Sequence, residues 1–343
     1  MRPLVLSSIM LSAAFVVGCG VDNIQAPSPS ARLPLLERAI SRSETAFDFT
    51  TIDVPGAMST SASGISARGE IVGSYVDGSK RSHGYVLHSS RSHGYVLHSS
   101  RSHGNVLHYR NLVTIDFTTS DGIAAAGTEA KGISPKGEVV GDYWMPDGAP
   151  VNPVNIHGYR WTKKGDFVPV NYPGHAGTIV QRILPDGTML GCRHDGDLMN
   201  TMKGITMSRA GNTEISQFSS MENGATPDRR RIVGLYKNDA TSPQRGFVIA
   251  DGVFTPLFLD ATTPALAAWD INPAGEIVGV YSNAAGVHGF VLSGDGYATL
   301  DFPGAAQTRA FGINARGEVV GTYIAADGTT HGFLASQGRK DER

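Results

Sequence analysis

Two cysteines in 343 residues are too few for a disulfide framework. Charge is scarce as well: 17% of the residues are charged, against roughly 25% in an average domain. The 29 basic and 31 acidic side chains leave a net charge of −2, and without a basic surplus nucleic acid is not an expected partner. Within the repeats described below, the apolar runs are two to four residues long, rich in Val, Ile, Phe and Tyr, and lack the 3.6 spacing of an amphipathic helix. No glycine-rich phosphate loop, nucleophile elbow, His-Glu-x-x-His or paired-cysteine metal motif occurs. No cofactor is therefore expected. Glycine, by contrast, is in excess: 42 residues, where about 7% is usual. Low charge and abundant glycine suit a turn-dense all-β protein.

One short phrase recurs six times: Gly69-Glu70-Ile71-Val72-Gly73, Gly137 to Gly141, Gly187 to Gly191, Arg230 to Gly234, Gly275 to Gly279 and Gly317 to Gly321. Its closing glycines lie 68, 50, 43, 45 and 42 residues apart. The long first interval has a visible cause, because the decapeptide Arg81 to Ser90 is copied at Arg91 to Ser100 and again, imperfectly, at Arg101 to Arg110.

Turn chemistry shows which segments pair. A tetrad such as Ser134-Pro135-Lys136-Gly137 or Asn272-Pro273-Ala274-Gly275 precedes the phrase, and it has the composition of a type I turn. The short segment ahead of it (Gly132-Ile133, Asp270-Ile271) forms a hairpin with the Val-Val segment behind. A third segment follows at His83-Gly84-Tyr85, His157-Gly158-Tyr159, Lys203-Gly204-Ile205, Arg245-Gly246-Phe247, His288-Gly289-Phe290 and His331-Gly332-Phe333, and a fourth at places such as Thr299-Leu300-Asp301-Phe302. Four short strands in about 45 residues, repeated six times, predict a six-bladed β-propeller of four-stranded antiparallel blades. A β-solenoid is the rival, with rungs that are usually shorter.

The phase of the repeat predicts how the ring closes. The longest link follows the fourth segment, so the chain opens on an orphan fourth strand, 47–54, and ends on a third strand, 330–335. Pairing these two in one blade would satisfy two exposed sheet edges.

The first residues carry one positive charge, an apolar stretch through Val17 and then Val16-Val17-Gly18-Cys19. This reads as a signal peptide over 1–18, too short for a membrane span, and its end resembles a bacterial lipoprotein processing site. That resemblance implies a lipidated Cys19, a membrane anchor and an outer-membrane address facing the periplasm or the surface, since Gly20 rather than Asp follows the cysteine. An ordinary secretory signal is the alternative. The Pro- and Ser-containing segment 19–46 reads as a tether, 47–335 as one propeller with a 91–110 insert, and 336–343 as a disordered tail.

With the Gly-Ile-Asn, Gly-Glu-Val-Val-Gly-x-Tyr and His-Gly-Phe-Leu segments aligned, most cleanly over Asp270 to Phe333, the repeats resemble the HAF-type extracellular repeat family of exported bacterial proteins. The resemblance covers nearly all of 47–335 and implies export and a β-propeller. It supplies no activity and no catalytic residues.

Residues present in every blade do the same structural job six times, so Asp53, Asp116 and Asp301 read as turn or strand-end acceptors, and His157, His288 and His331 as packing residues. Broken symmetry is the better guide to a site. Arg182, Arg193, His194, Asp195 and Asp197 in the third repeat, and Arg229, Arg230 and Arg231 in the fourth, interrupt the pattern with ionisable groups suited to an anionic ligand or to acid–base work. His83, His93 and His103 of the decapeptide copies could gather round a metal ion if the copies folded as adjacent strands. Cys192 reads as a buried, inert thiol. The expectation is a monomeric, membrane-tethered scaffold that binds a protein or glycan of the cell envelope and is not catalytic. The alternatives are a hydrolase or lyase acting on polysaccharide at the propeller funnel, and a metal-binding surface.

Overall fold

The structure, a computed structural model, describes residues 47–88, 97–99, 105–107, 112–145, 155–259, 263, 265–294 and 296–337. The expected signal, Cys19 and tether lie outside the described residues. The strands in chain order are β1 (Phe47–Ile52), β2 (Ser59–Ile65), β3 (Ile71–Val76), β4 (Ser82–Leu87), β5 (Leu97–Ser99), β6 (Asn105–Leu107) and β7 (Leu112–Ile115). There follow β8 (Gly127–Ile133), β9 (Val139–Trp144), β10 (Ile156–Trp161), β11 (Phe167–Val170), β12 (Gly177–Ile183) and β13 (Met189–His194). After one helical turn, α1 (Leu198–Thr201), come β14 (Lys203–Ser208), β15 (Gly211–Glu214), β16 (Ser219–Ala225), β17 (Arg231–Lys237), β18 (Arg245–Ala250) and β19 (Val253–Leu257). The last are β20 (Ala265–Ile271), β21 (Ile277–Asn283), β22 (Gly286–Ser293), β23 (Gly296–Leu300), β24 (Gln307–Ile313), β25 (Val319–Ile324) and β26 (Thr330–Gln337).

These strands form a six-bladed β-propeller. Blade one is β2-β3-β4-β7, blade two β8 to β11, blade three β12 to β15, blade four β16 to β19, blade five β20 to β23, and blade six β24-β25-β26-β1. The ring closes as its phase requires: β1 lies antiparallel to β26, from Phe47 opposite Gln337 to Ile52 opposite Gly332. The clasp runs two residues beyond the expected end at 335, so Ser336 and Gln337 belong to a strand and not to a tail. Ile52 and Val54 pack with Ala62, Tyr85, Val320 and Leu334, which welds blade six to blade one.

The recurrent phrase has a steric cause. In every blade the innermost strand carries a bulge, between Ala62 and Gly64, Ala130 and Gly132, Val180 and Arg182, Glu222 and Gly224, Ala268 and Asp270, and Ala310 and Gly312. The bulge drives a carbonyl toward the closing glycine of the phrase. A Cβ there would come within 2.1 Å of a carbonyl oxygen in all six blades, for example 2.0 Å from Arg309 O at Gly321. In blades one, four, five and six the aromatic of the third strand lies over the vacated space, with Phe333 Cε1 2.7 Å from the same point. Gly-Glu-Val-Val-Gly and His-Gly-Phe are thus two halves of one contact.

The described strands of the decapeptide insert join blade six and not blade one. β4 still pairs with β7, so blade one is complete without the second and third copies. Their strands β5 and β6 form a small hairpin that adds to blade six instead, with β6 parallel to β1 at Thr50–Asn105 and Thr51–Val106. The open edge of the clasp strand, not the edge of blade one, is what accepts them.

Candidate functional site

Immediately after the bulge, four innermost strands have glycine: Gly64, Gly132, Gly224 and Gly312. The strands approach so closely here that a Cβ on Gly132 would lie 2.6 Å from Gln181 O. Blades three and five break this ring with Arg182 and Asp270. Arg182 Nη1 donates to Lys131 O (2.9 Å) and Gln181 O (2.8 Å), Nη2 donates to Ser63 O (3.2 Å) and Phe311 O, and Nε lies 3.3 Å from Asp270 Oδ2. One guanidinium therefore ties blade three to blades one, two, five and six. Asp270 also accepts the backbone N–H groups of Ile271 and Ile313. Burial raises its pKa, with Arg182 opposing. Arg182, expected to bind a ligand, is instead a plug across the channel: its Nη donors are already used by the protein's own carbonyls and its Nε faces Asp270.

Further along the channel one wall is polar and the opposite wall apolar. Ser61, Glu129 and Arg309 of blades one, two and six line one pocket, whereas Ile179, Met221 and Ala267 of the other three blades share an apolar cluster with Trp269, which meets Phe311 edge-on at 5.1 Å. On the polar side Lys131 Nζ lies 2.8 Å from Glu129 Oε2 and 3.3 Å from Asp142 Oδ1. Burial alone would lower the Lys131 ammonium, but Asp142 and Glu129 outweigh it and hold the pKa above its usual value. Two carboxylates against one cation leave an excess negative charge, which falls on fully enclosed Asp142: burial pushes its pKa up, Lys131 pulls it back and Glu129 adds to the rise. The open space is small. A pocket of about 50 Å³ lies between blades six and one and another of about 40 Å³ beside Arg182, each room for one or two waters. Ionisable groups do converge in the funnel, but they contact one another in a space too tight for a sugar ring.

The repeated histidines and aspartates meet each other. His83 Nδ1 is 2.8 Å from Asp116 Oδ1, His288 Nδ1 2.8 Å from Asp301 Oδ2, and His331 Nδ1 2.8 Å from Asp53 Oδ1. In each case the other nitrogen is held by the loop between the second and third strands: Asp77 at 3.1 Å, Asn283 at 3.3 Å and Thr329 at 2.7 Å. Each ring also stacks on the tyrosine of the second strand, Tyr75, Tyr281 or Tyr323. His157 bonds Asn171 where the others have Asp. These are structural brackets, and the His331–Asp53 bracket lies across the clasp. With both ring nitrogens engaged, His83 is not a free metal ligand. The strands flanking β4 are β3 and β7; His93 and His103 lie outside the described residues. Among the described residues no cluster of three metal-ligating side chains is present.

The third-repeat residues are partnered in the same structural sense. Arg193 makes a two-pronged bond to Glu214 at 3.0 and 2.7 Å and reaches Thr201 O at 3.0 Å. Asp195 accepts Ala176 N–H and contacts His175 at 3.1 Å, and these bonds, the backbone one first, lower its pKa. Asp197 caps α1 through Asn200. His194 is fully buried, and burial lowers its pKa; it lies against Gly177, where a Cβ would be 2.1 Å from its Cε1. Cys192 is buried beside it, and burial raises its thiol pKa well above the usual value.

Arg229, Arg230 and Arg231 are on the other side of the molecule. Alternating strand direction puts the second-to-third-strand loops and the blade-to-blade links on one face, and the tetrad turns on the opposite one. Arg193 to Asp197 therefore belong to the link face and Arg229 to Arg231 to the turn face, and the two clusters cannot form one site. Arg229 lies 3.8 Å from Asp186 and Arg230 3.0 Å from Asp251. Arg231 lines a groove of about 530 Å³ between the turns of blades four and five.

Sequence reasoning missed Asp270, the Glu129–Lys131–Asp142 group and Glu222. The signal was there for two of these, in a residue-by-residue alignment of the first strands. Asp270 stands where four repeats have glycine, and Glu222 where the others have Ala or Val. Glu222 is buried, accepts from the Thr206 hydroxyl, and burial pushes its pKa up to about 7 against that bond.

No protein-family model and no curated protein matches the chain. Solved propellers are similar in fold. TolB from Acinetobacter baumannii is 14% identical with a TM-score of 0.43, covering 82% of this chain and 54% of that one, so the chain spans about half its length. A putative TolB from Agrobacterium tumefaciens is 14% identical with a TM-score of 0.49, covering 80% of this chain and 89% of that one. The β-propeller domain of the Trilobed protease from Pyrococcus furiosus is 8% identical with a TM-score of 0.44, covering 82% and 95%. At such identities the likeness concerns the fold alone.

Proposed function

We propose that this chain is a non-catalytic binding propeller of the bacterial cell envelope, a member of the HAF-type repeat family, tethered through a lipidated Cys19 and the segment 19–46. The observation that carries the binding role is the distribution of exposed apolar side chains. Of the seven large apolar side chains exposed among the described residues, Met58 (54% exposed), Ile123 (49%), Phe218 (36%) and Phe258 (43%) sit in blade-to-blade links and crown one face, while Val113, Val168 and Val253 lie on outer strands. Large apolar groups held in water on one face favour a protein partner there. The non-catalytic part is supported by the channel, where Arg182 fills the narrow end and the ionisable groups are paired.

Two measurements test this. Metabolic labelling with an alkyne fatty acid should mark the wild-type chain and not Cys19→Ser; an unlabelled wild type removes the lipid anchor from the proposal. Cross-linking in intact envelopes should yield a defined adduct that Phe218→Asp with Phe258→Asp abolishes, while Val113→Asp on the outer strand β7 leaves it unchanged. An adduct indifferent to the link-face pair would sink the docking role of that face.

A further inference from the structure

On the turn face the fourth repeat reverses a charge. The first position of the second strand's approach is Glu70, Glu138, Glu276 and Glu318 in four blades, and three of these fold back on their own turns: Glu70 accepts from Ser66 Oγ, Glu276 from Asn272 Nδ2 and Glu318 from Asn314 Nδ2. The corresponding residue of blade four, whose backbone carbonyl closes the same turn on Thr226, is Arg231. Its guanidinium takes no carboxylate among the described residues. It extends over the neighbouring turn, with Nη1 2.5 Å from where a Cβ on Gly275 would be, and this glycine leaves it room.

The backbone at this place is unusual in a second, independent way. Only three non-glycine residues among those described have positive φ, and two flank this groove: Arg229 at 59° and Asp251 at 48°. Such conformations are uncommon outside glycine and persist where the surroundings enforce them. Here they hold Arg230 against Asp251 at 3.0 Å and leave Arg231 as the uncommitted cation. The groove, about 530 Å³, is an order of magnitude roomier than either channel pocket. Its wall also presents the carboxylates of Asp228 and Asp251 and the flat ring of Pro273.

We propose that this groove binds an acidic sugar, a uronic-acid unit of a glycan, with its carboxylate on the Arg231 fork. The chemistry selects among anions. One free guanidinium offers a planar, two-pronged seat for a carboxylate, while Asp228 and Asp251 would repel a phosphate dianion more strongly than a singly charged carboxylate and accept hydrogen bonds from sugar hydroxyls. Pro273 gives the apolar face of a pyranose ring a surface to rest on. The site is on the face opposite the link-face docking surface, so the two assignments stand or fall separately.

Calorimetric titration of the full chain with a trimer of galacturonic acid, the neutral galactose trimer and inorganic phosphate tests it. The uronate trimer should bind, at least about tenfold more weakly to Arg231→Glu and to Arg231→Gln, and more weakly as salt rises from about 50 to about 300 mM. The neutral trimer should bind at least about tenfold more weakly than the acidic one. Thermal unfolding checks that each variant is folded, and the milder glutamine change keeps the test readable if the charge reversal is not tolerated. Absence of uronate binding, equal affinity for the neutral trimer, or undiminished affinity in both variants overturns the assignment. Phosphate bound as tightly as the trimer overturns it too, because the groove would then be a plain anion site.

Discussion

Arg182 Nε lies 3.3 Å from Asp270 Oδ2, joining blade three to blade five across the channel. Both residues replace the glycine of the other four blades, so a cation and an anion fill the gap where six inner strands converge.

Arg182→Leu removes the donor for four backbone carbonyls and strands a buried carboxylate. A loss of about 3 to 5 kcal/mol is expected, read from urea unfolding, and a cycle with Asp270→Asn should show that the two residues are strongly coupled. A loss below about 1 kcal/mol would mean that water takes over the role. Uronate binding on the turn face should not change.

Gly321→Ala puts a methyl 2.0 Å from Arg309 O, against backbone that cannot yield. The cost should reach about 3 kcal/mol or more. Gly294→Ala, with nothing within 4 Å, should stay within about 0.5 kcal/mol. Equal effects at the two positions would refute the steric account of the recurrent phrase.

Glu222 makes stability depend on pH. Its folded pKa of about 7 lies above the ordinary 4.5, so the folded state holds the proton more tightly than the unfolded one. Below about pH 4.5 both states are protonated and nothing is lost. Between about 4.5 and 7 the unfolded chain ionises first and stability falls, by an amount on the order of 3 kcal/mol, levelling off above pH 7. Asp142 acts in the same direction. Glu222→Gln should flatten the profile and leave the variant more stable than wild type at pH 8; a profile unchanged by this substitution would place the titration elsewhere.

Deleting 91–110 joins Ser90 to Asn111 and leaves four residues, 88, 89, 90 and 111, between β4 and β7, an ordinary hairpin length. Unfolding should remain a single cooperative transition with its midpoint lowered by no more than a few degrees, because β6 touches β1 at only two residue pairs. The uncovered β1 edge should make the variant more prone to associate, which sedimentation would show.

The order of strands, the number of blades and the clasp were legible in the sequence because each rests on local facts repeated along the chain: a tight turn, a short apolar run and a glycine. The insert was legible as a duplication, yet its destination was not. Its strands have no unique local partner, and only the folded ring shows that the clasp strand is the open edge. The site candidates fared likewise. Loss of repeat symmetry pointed to Arg182, Arg193 and Arg231 alike, and nothing local distinguishes a guanidinium that faces four carbonyls from one that faces water.

The sequence by itself determined a closed ring of six four-stranded blades, because turn chemistry and strand period act over a few residues and the repeat multiplies them. Only the tertiary structure decided what the irregular charges do. Arg182 meets Asp270 from 88 residues away in the chain, and Arg231 is left facing a groove made by the next blade. Pairing at such distances depends on how blades stack around the axis, and the stacking is encoded in no single repeat.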